Sequence, residues 1–398
     1  MTASRTIVVA GAGIGGLTAS LALAAKGFDV IILERAQRLE EAGAGLQLSP
    51  NASRVLIDLG LRPRLEPHAV TPDAVSMMSA RGPGEIVRLP LGEPASFRAG
   101  APYWVMHRAD LQNALAAQVR SHPNIELQLG CQFEEVGSDP GGVVVTRRSG
   151  VSRSQQRALA LVGADGIWST VRGQLFADAQ PTFSGLIAWR GTFDAEQLPA
   201  GTASRNVQIW MGRDAHLIAY PISAGRRINI VAIVASSWNR PGWSAPGEPA
   251  EIKSLFAAPA WPAAAGSMID AVDGWRRWAL FTMKDGGVWN RAAVALLGDA
   301  SHGMLPFAAQ GAGMAIEDAA VLANCLGEIA APEAVPAALQ RYAELRQPRI
   351  IRVQRTARHN GQIYHLAGAA ALARDLAMRA LGGPRLLARQ NWIYDWRV

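Results

Sequence analysis

The sequence predicts an α/β fold in which a βαβ unit is interleaved with an antiparallel β-sheet and followed by a C-terminal helical region. Three observations carry that prediction. Near the start a glycine-rich turn, Gly11-Ala-Gly-Ile-Gly-Gly16, joins an apolar strand to an apolar helix. Far downstream a second apolar strand ends in Gly298-Asp299 and is followed by a glycine-led helix. Between the two, residues 183–280 change to β-rich runs divided by turns.

Residues 5–34 read as strand (Thr6-Ile-Val-Val-Ala10), turn, helix (Leu17 to Lys26) and strand (Phe28 to Leu33). This is a Rossmann-like start, and each glycine has a task. Gly11 makes the turn, Gly13 lets the backbone approach a pyrophosphate, and Gly16 lets helix and strand pack closely. Glu34 closes the second strand about 20 residues on, where a carboxylate accepts the hydroxyls of a ribose. An acid there fits an adenosine with a free 2′-hydroxyl, that of FAD or NAD.

His107-Arg108-Ala-Asp110 opens a helix running to Arg120, with Asp110 as the expected N-cap. Strands follow at 125–129 and 142–147. Leu159 to Val162 then runs into Gly163-Ala-Asp165-Gly166, another strand ending in a tight acidic turn. In the 183–280 region, Val207 to Met211, His216 to Tyr220 and Arg227 to Val234 are the strand candidates. The Pro- and Gly-rich stretches at 240–249 and 258–266 read as surface loops. Ala293 to Leu297 is a buried strand that ends at Asp299, and ligands of open α/β sheets sit beyond such strand ends. The helix from Gly311 is apolar on most sides. Its free N–H groups and dipole suit the N1 and O2 edge of a reduced flavin. Glu317 and Asp318 are read as helix-start electrostatics and packing. Residues 335–398 read as Arg-rich helices.

Composition narrows the class further. With 398 residues, about half of them hydrophobic, the chain can build a sizeable core. Only Cys131 and Cys325 are present, too few for a disulfide framework, an iron–sulfur cluster or a zinc site, and no metal is expected. No apolar run reaches membrane-spanning length, and a first strand starting at Arg5 leaves no room for a signal peptide, so a soluble, cytoplasmic protein with no membrane partner is expected. The net charge of +7 comes from scattered Arg, with Lys only at 26, 253 and 284. Without a basic block interleaved with aromatics, nucleic acid is not an expected partner.

The motifs together resemble a family. Gly11 to Gly16 with Glu34-Arg35, Gly163-Ala-Asp165-Gly166-Ile-Trp-Ser-Thr-Val-Arg172, and Gly298-Asp299 through Asp318 stand in the order found in the single-component FAD-dependent aromatic hydroxylases, the flavoprotein monooxygenases of the salicylate hydroxylase and 3-hydroxybenzoate 6-hydroxylase type. Ala44 to Asn51 and His107 to Leu111 are also similar to it. The resemblance implies FAD as cofactor and NADH or NADPH as a transient co-substrate. It implies hydroxylation of a small aromatic acid or phenol with O2 through a flavin C4a-hydroperoxide; a homodimer is a candidate assembly that the sequence does not decide. The domains expected are a discontinuous FAD-binding domain at 1–75, 100–180 and 281–330, a substrate-binding β-sheet domain at 76–99 and 181–280, and a helical region at 331–398.

Residue by residue, the resemblance implies that Gly11, Gly13, Ile14, Gly15, Gly16, Glu34 and Arg35 hold the ADP half of FAD, with Arg108 reaching it from the next helix. Asp165 belongs to a motif shared between FAD and nicotinamide binding. Asp299 meets the ribityl chain, and Gly311, Ala312 and Gly313 sit against the flavin ring, with Pro306 on its substrate side. His216 and Tyr220 match positions that line the substrate pocket. Four apart on one strand, they share a face, and a base near the substrate oxygen speeds attack on the ring. Arg190 is a candidate partner for a substrate carboxylate. Gln47 stands where 6-hydroxynicotinate enzymes carry His, which points away from a hydroxynicotinate. His302 is read as structural. Two other readings keep the same motifs: a flavin monooxygenase of larger polycyclic or quinone-precursor substrates, and a non-catalytic FAD-binding regulator.

Overall fold

The computed structural model describes residues 5–39, 44–82, 84–92, 98–176, 179–198, 205–242 and 244–398. The βαβ start forms as expected, with strand Thr6–Ala10, helix Ile14–Ala24 and strand Asp29–Glu34. These strands sit in a six-stranded sheet in the order Asn290–Arg291, Val294–Leu296, Ala160–Gly163, Thr6–Ala10, Asp29–Glu34, Ile125–Leu129. All neighbours are parallel except the short first pair. The strands that the acidic turns terminate, 160–163 and 294–296, therefore end beside the glycine turn of 6–10. Sequence separation of nearly three hundred residues becomes adjacency at one sheet edge.

Helix Ile14–Ala24 is apolar all round and is buried at ten of its eleven positions. It packs against helix Gly311–Gly327, itself mostly buried. The approach is close because Gly15 has no Cβ: one there would come within 2.8 Å of Leu297 and 3.2 Å of Ala315.

An antiparallel ladder of Cys131–Asp139, Gly142–Ser149 and Ser152–Ala158 extends beyond the parallel sheet. Only its middle strand is legible in the sequence. Ser-Arg-Ser-Gln-Gln-Arg-Ala is largely exposed and carries no apolar alternation, so periodicity cannot find it. Helix Arg108–Ser121 starts where expected, but His107 and not Asp110 is its N-cap, its Nδ1 accepting from the Ala109 N–H.

The 183–280 region contributes to an eight-stranded sheet in the order Ala245–Gly247, Trp275–Thr282, Thr182–Asp194, Arg227–Ala235, Ala215–Ile222, Val207–Gly212, Ala74–Ser79, Glu85–Pro90. All pairings are antiparallel except 207–212 with 74–79. Strand Ala215–Ile222 is buried at every position, since both faces of the sheet are covered. Odd positions such as Trp189 and Leu217 pack on one side with Ile252, Ala265 and Ile269. Those residues come from helices Pro249–Leu255 and Ala263–Asp270. The two stretches read as surface loops are thus partly an edge strand and a covering helix. The other face, with Arg190, Ile218 and Tyr220 and, from the strand between, Val231, is turned to the nucleotide unit.

Helix Val335–Tyr364 runs for 30 residues and carries Arg346 into the core. Arg346 donates to Asp318 Oδ1 and Glu317 Oε2 at 2.7 Å each, and Arg349 also holds Glu317. His302 Nε2 lies 2.5 Å from Asp318 Oδ2, and Asn51 donates to Glu317 at 2.6 Å. Burial pushes the Asp318 carboxyl up, but His302 and Arg346 outweigh it and hold Asp318 below the usual carboxylate range. A buried charge left unpaired costs several kcal/mol, so each member of this cluster depends on the others. Glu317, Asp318 and His302 are structural here, and the cluster pins the start of helix Gly311–Gly327 from behind.

Candidate active site

At the glycine turn Gly11 adopts φ +105°, a conformation that L side chains avoid, and a Cβ there would lie 2.5 Å from the Ala164 carbonyl oxygen. A Cβ on Gly16 would lie 2.0 Å from the Gly11 oxygen, whereas one on Gly13 meets nothing within 4 Å. Two glycines thus serve packing and the third keeps open space. Glu34 Oε2 accepts from the Ala12 N–H and Oε1 from the Ala36 N–H, both at 2.9 Å. This fixes the carboxylate at the strand end and leaves each oxygen a further lone pair for a ribose. Gln112 donates to the Ala12 carbonyl from helix Arg108–Ser121.

Two cavities open from this turn. One, of about 390 Å³, is lined by Gly11, Glu34, Arg35, Phe133, Asp165 and Trp168 among others. The other, of about 280 Å³, is lined by Ile14, Gly15, Gly311, Ala312, Pro306 and the sheet floor. They share Gly13, Arg108, Ala164, Gly166 and Asp299 as common walls. An elongated ligand with an anionic middle fits this shape. Its middle would pass the N-terminus of helix Ile14–Ala24, and Arg108 stands at the junction. Burial draws the Arg108 pKa down, with Asp299 opposing. FAD fits this shape, with Glu34, Gly13, Asp299 and the Gly311 helix start spaced along the groove.

Three of the sequence-derived positions sit differently from a simple contact list. The Asp165 carboxylate caps helix Thr170–Leu175, accepting from Thr170 N, Val171 N and the Ser169 hydroxyl. It lines the groove but its oxygens serve the turn. Gly313 is not in the cavity wall: a Cβ there would meet Gln310 and Asn51. His216 is fully buried and also lies outside the lining, one row beyond it.

The register of the large sheet defines the floor. Arg190 pairs with Val231, and Val231 with Ile218, so these three form one row across adjacent strands. Tyr220 opposite Asn229 forms the row on one side. His216 opposite Ile233 forms the row on the other. Arg190, Val231, Ile218 and Tyr220 line the cavity. The Arg190 guanidinium lies 5.0 Å over the Trp278 ring. Its Nε has no hydrogen-bond partner, and no carboxylate among the described residues forms an ion pair with it. Burial lowers its pKa to about 10, with Arg108 adding to the effect, so it is still a cation at neutral pH. Burial pushes the Tyr220 phenol up, against the pull of Arg190.

Gln47 lies in strand Gly45–Leu48 on the opposite wall and accepts from the Tyr103 hydroxyl at 2.6 Å. The adjacent Gly45 N–H donates to Asn229 Oδ1 at 2.6 Å, and the Asn229 side chain lies against the Tyr220 phenol. Asn229, Tyr103 and Trp278 were not foreseen. A lone Asn inside the apolar run Arg227–Ala235 is the signal that could have found the first.

One expected outcome follows directly. Asp299→Ala should purify with at least about tenfold less FAD per chain than wild type, read from visible absorbance, with the melting transition of the apoprotein unchanged. Full retention of flavin would remove Asp299 from the cofactor site.

Comparison with known proteins agrees with this geometry. The family described as FAD binding domain matches residues 4–357. The chain is 37% identical to a 3-amino-4-hydroxybenzoate 2-monooxygenase of Streptomyces platensis, covering 98% of this chain and 96% of that protein. It is 33% identical to the 3-hydroxybenzoate 6-hydroxylase of Polaromonas naphthalenivorans, covering 100% and 97%. The structure of a salicylate hydroxylase substrate complex superposes with a TM-score of 0.82 at 25% identity, over 100% of this chain and 97% of that one. Among the described residues no helix is long and apolar enough to cross a membrane. The glycine turn, the shared groove and these full-length matches together show that the chain belongs to the FAD binding domain family and is an FAD-dependent monooxygenase.

Proposed function

We propose that the enzyme hydroxylates a small aromatic acid bearing a phenolic hydroxyl, with NADH or NADPH as transient electron donor and O2 as oxygen source. The observation that carries this reading is Arg190, a cation in the cavity floor with no counter-charge among the described residues. Desolvating such a group costs several kcal/mol, and a planar carboxylate bound by its fork offsets that cost. The 3-amino-4-hydroxybenzoate and 3-hydroxybenzoate of the relatives' names each carry a carboxylate and a phenol.

When bound, FAD supplies the two-electron reduction and oxygen activation. The chain supplies placement, dryness and proton control. With the carboxylate at Arg190, the ring lies over Val231 and Ile218, two strands across at about 4.8 Å per strand. Its hydroxyl then falls near the row ends, at Tyr220 or His216. Pro306 and Gln47 bound the ring on its other sides. Gly11, Gly13 to Gly16, Glu34, Arg35 and Arg108 hold the dinucleotide, and Asp299, Gly311 and Ala312 the flavin end. We expect a homodimer in the cytoplasm, where the two free, buried thiols Cys131 and Cys325 stay reduced.

Anaerobic stopped-flow reduction of the flavin by NADH and by NADPH tests the proposal across hydroxybenzoates, hydroxynicotinates and the matching phenols lacking a carboxyl group. At least one hydroxybenzoate should accelerate bleaching by about tenfold or more, and its decarboxylated analogue should not. Equal stimulation by both members of a pair would overturn the role of Arg190, and no stimulation by any acid would overturn the substrate class.

A further inference from the structure

We propose that His365, at the C-terminal end of the long helix, forms with His216 a two-histidine relay that carries the substrate hydroxyl proton from the cavity floor to solvent. The inference rests on the reading of His216 as the base.

His216 has no exposure, yet its ring is not packed as an inert group. Nδ1 lies 2.7 Å from His365 Nε2, a distance that requires one hydrogen between them. The other nitrogen, Nε2, is buried with no partner. A buried polar nitrogen left without a partner is rare and costs free energy. On the strand, His216 shares its face with Ile218 and Tyr220, which line the cavity. Phe307 stands edge-on to the ring at 4.9 Å, and the adjacent Pro306 lines the cavity. The free nitrogen therefore belongs to a ring on the same sheet face as the cavity floor, packed beside its lining residues.

His365 faces the other way. It caps helix Val335–Tyr364 and is partly exposed, and its Nδ1 is not among the buried unpartnered atoms. Gly361 allows this docking, because a Cβ there would come within 2.6 Å of Phe307. The groups that face the pair are Tyr364 from the helix, Phe307 from the turn, and Met211 and Ile233 from the flanking strands. Among the described residues, the formal charge acting on His365 is Asp214, in the turn before the strand.

Burial holds both imidazoles neutral, with His365 adding to the effect on His216 and Asp214 opposing it on His365. Two neutral rings in contact have two tautomeric arrangements. The relay uses the arrangement in which His365 carries its proton on the outer Nδ1 and accepts at Nε2. His216 Nδ1–H then donates to it, and His216 Nε2 is a bare lone pair. With the substrate hydroxyl seated against His216 Nε2, its O–H bond breaks as an N–H bond forms at that nitrogen. The Nδ1 proton of His216 moves to His365 Nε2, and the Nδ1 proton of His365 passes to water. One proton leaves, no electrons change hands, and reverse passage to the product oxygen restores both tautomers.

The test uses FAD-loaded enzyme labelled with ¹⁵N at histidine, together with the variants His365→Gln and His216→Gln. Glutamine keeps a hydrogen bond to the partner ring but relays nothing. Imidazole ¹⁵N shifts, which need no substrate, should show His216 protonated at Nδ1 and bare at Nε2; protonation at Nε2 would overturn the proposal. With 3-hydroxybenzoate as probe, His365→Gln should slow single-turnover hydroxylation on the order of tenfold at unchanged KM and flavin content, less than the 10²-fold or more of losing a base. A wild-type rate in His365→Gln beside a slow His216→Gln overturns the relay and leaves the base assignment standing. Wild-type rates in both variants overturn the base assignment and the relay with it.

Discussion

Arg190→Met is expected to raise the KM for the aromatic acid on the order of 100-fold, about 3 kcal/mol, while FAD content and the melting transition stay at wild-type values. The magnitude follows from removing one partner of a desolvated charge pair. Three features make the site sensitive. The guanidinium sits on the cavity floor, no carboxylate among the described residues pairs with it, and it lies over the Trp278 ring. Met keeps the length of the stem and most of its packing, so the loss reports charge and not volume. The companion measurement is affinity for the decarboxylated phenol, which should be unchanged or improved in the variant. Equal loss for acid and phenol would mean that Arg190 shapes the floor without recognising the carboxylate.

The second large effect separates two glycines of one turn. Gly16→Ala places a methyl group 2.0 Å from the Gly11 carbonyl oxygen, where only backbone movement relieves the clash. We expect a loss of about 3 kcal/mol or more in the stability of the apoprotein. Gly13→Val adds its side chain where nothing lies within 4 Å. That apoprotein should fold and melt like wild type, yet bind FAD at least about 100-fold more weakly, because the branched side chain fills the space through which the pyrophosphate approaches. Calorimetric melting of both apoproteins and FAD titration of the folded one are the checks. Tight FAD binding by Gly13→Val would show that the groove runs elsewhere.

Much of the cofactor site was legible in the sequence because its determinants are local. A turn that needs positive φ at Gly11, close packing at Gly16 and an acid at the end of the next strand are constraints within about 30 residues. The strand that ends at Asp299 and the apolar helix from Gly311 are of the same kind. The Ser152–Ala158 strand and the helix Ala263–Asp270 were missed for the opposite reason. One is exposed and polar, the other begins among Pro and Ala in a stretch whose composition reads as loop.

What the sequence determined by itself, then, is the set of short-range devices: the βαβ turn, the acidic strand ends and the alternation that puts His216 and Tyr220 on one face. Only the tertiary structure decided what those faces meet. Register across three strands placed Arg190, Val231 and Ile218 in one row, and the absence of a carboxylate beside Arg190 among the described residues is a property of every element that packs there. The cluster of Arg346, Glu317, Asp318 and His302 joins residues from separate elements. So does the contact between His216 and His365, 149 residues apart. Such pairings depend on where a long helix ends and which sheet it covers, and burial then sets their charge. No spacing along the chain encodes that, because the energy of a buried polar group is fixed by its neighbours in space.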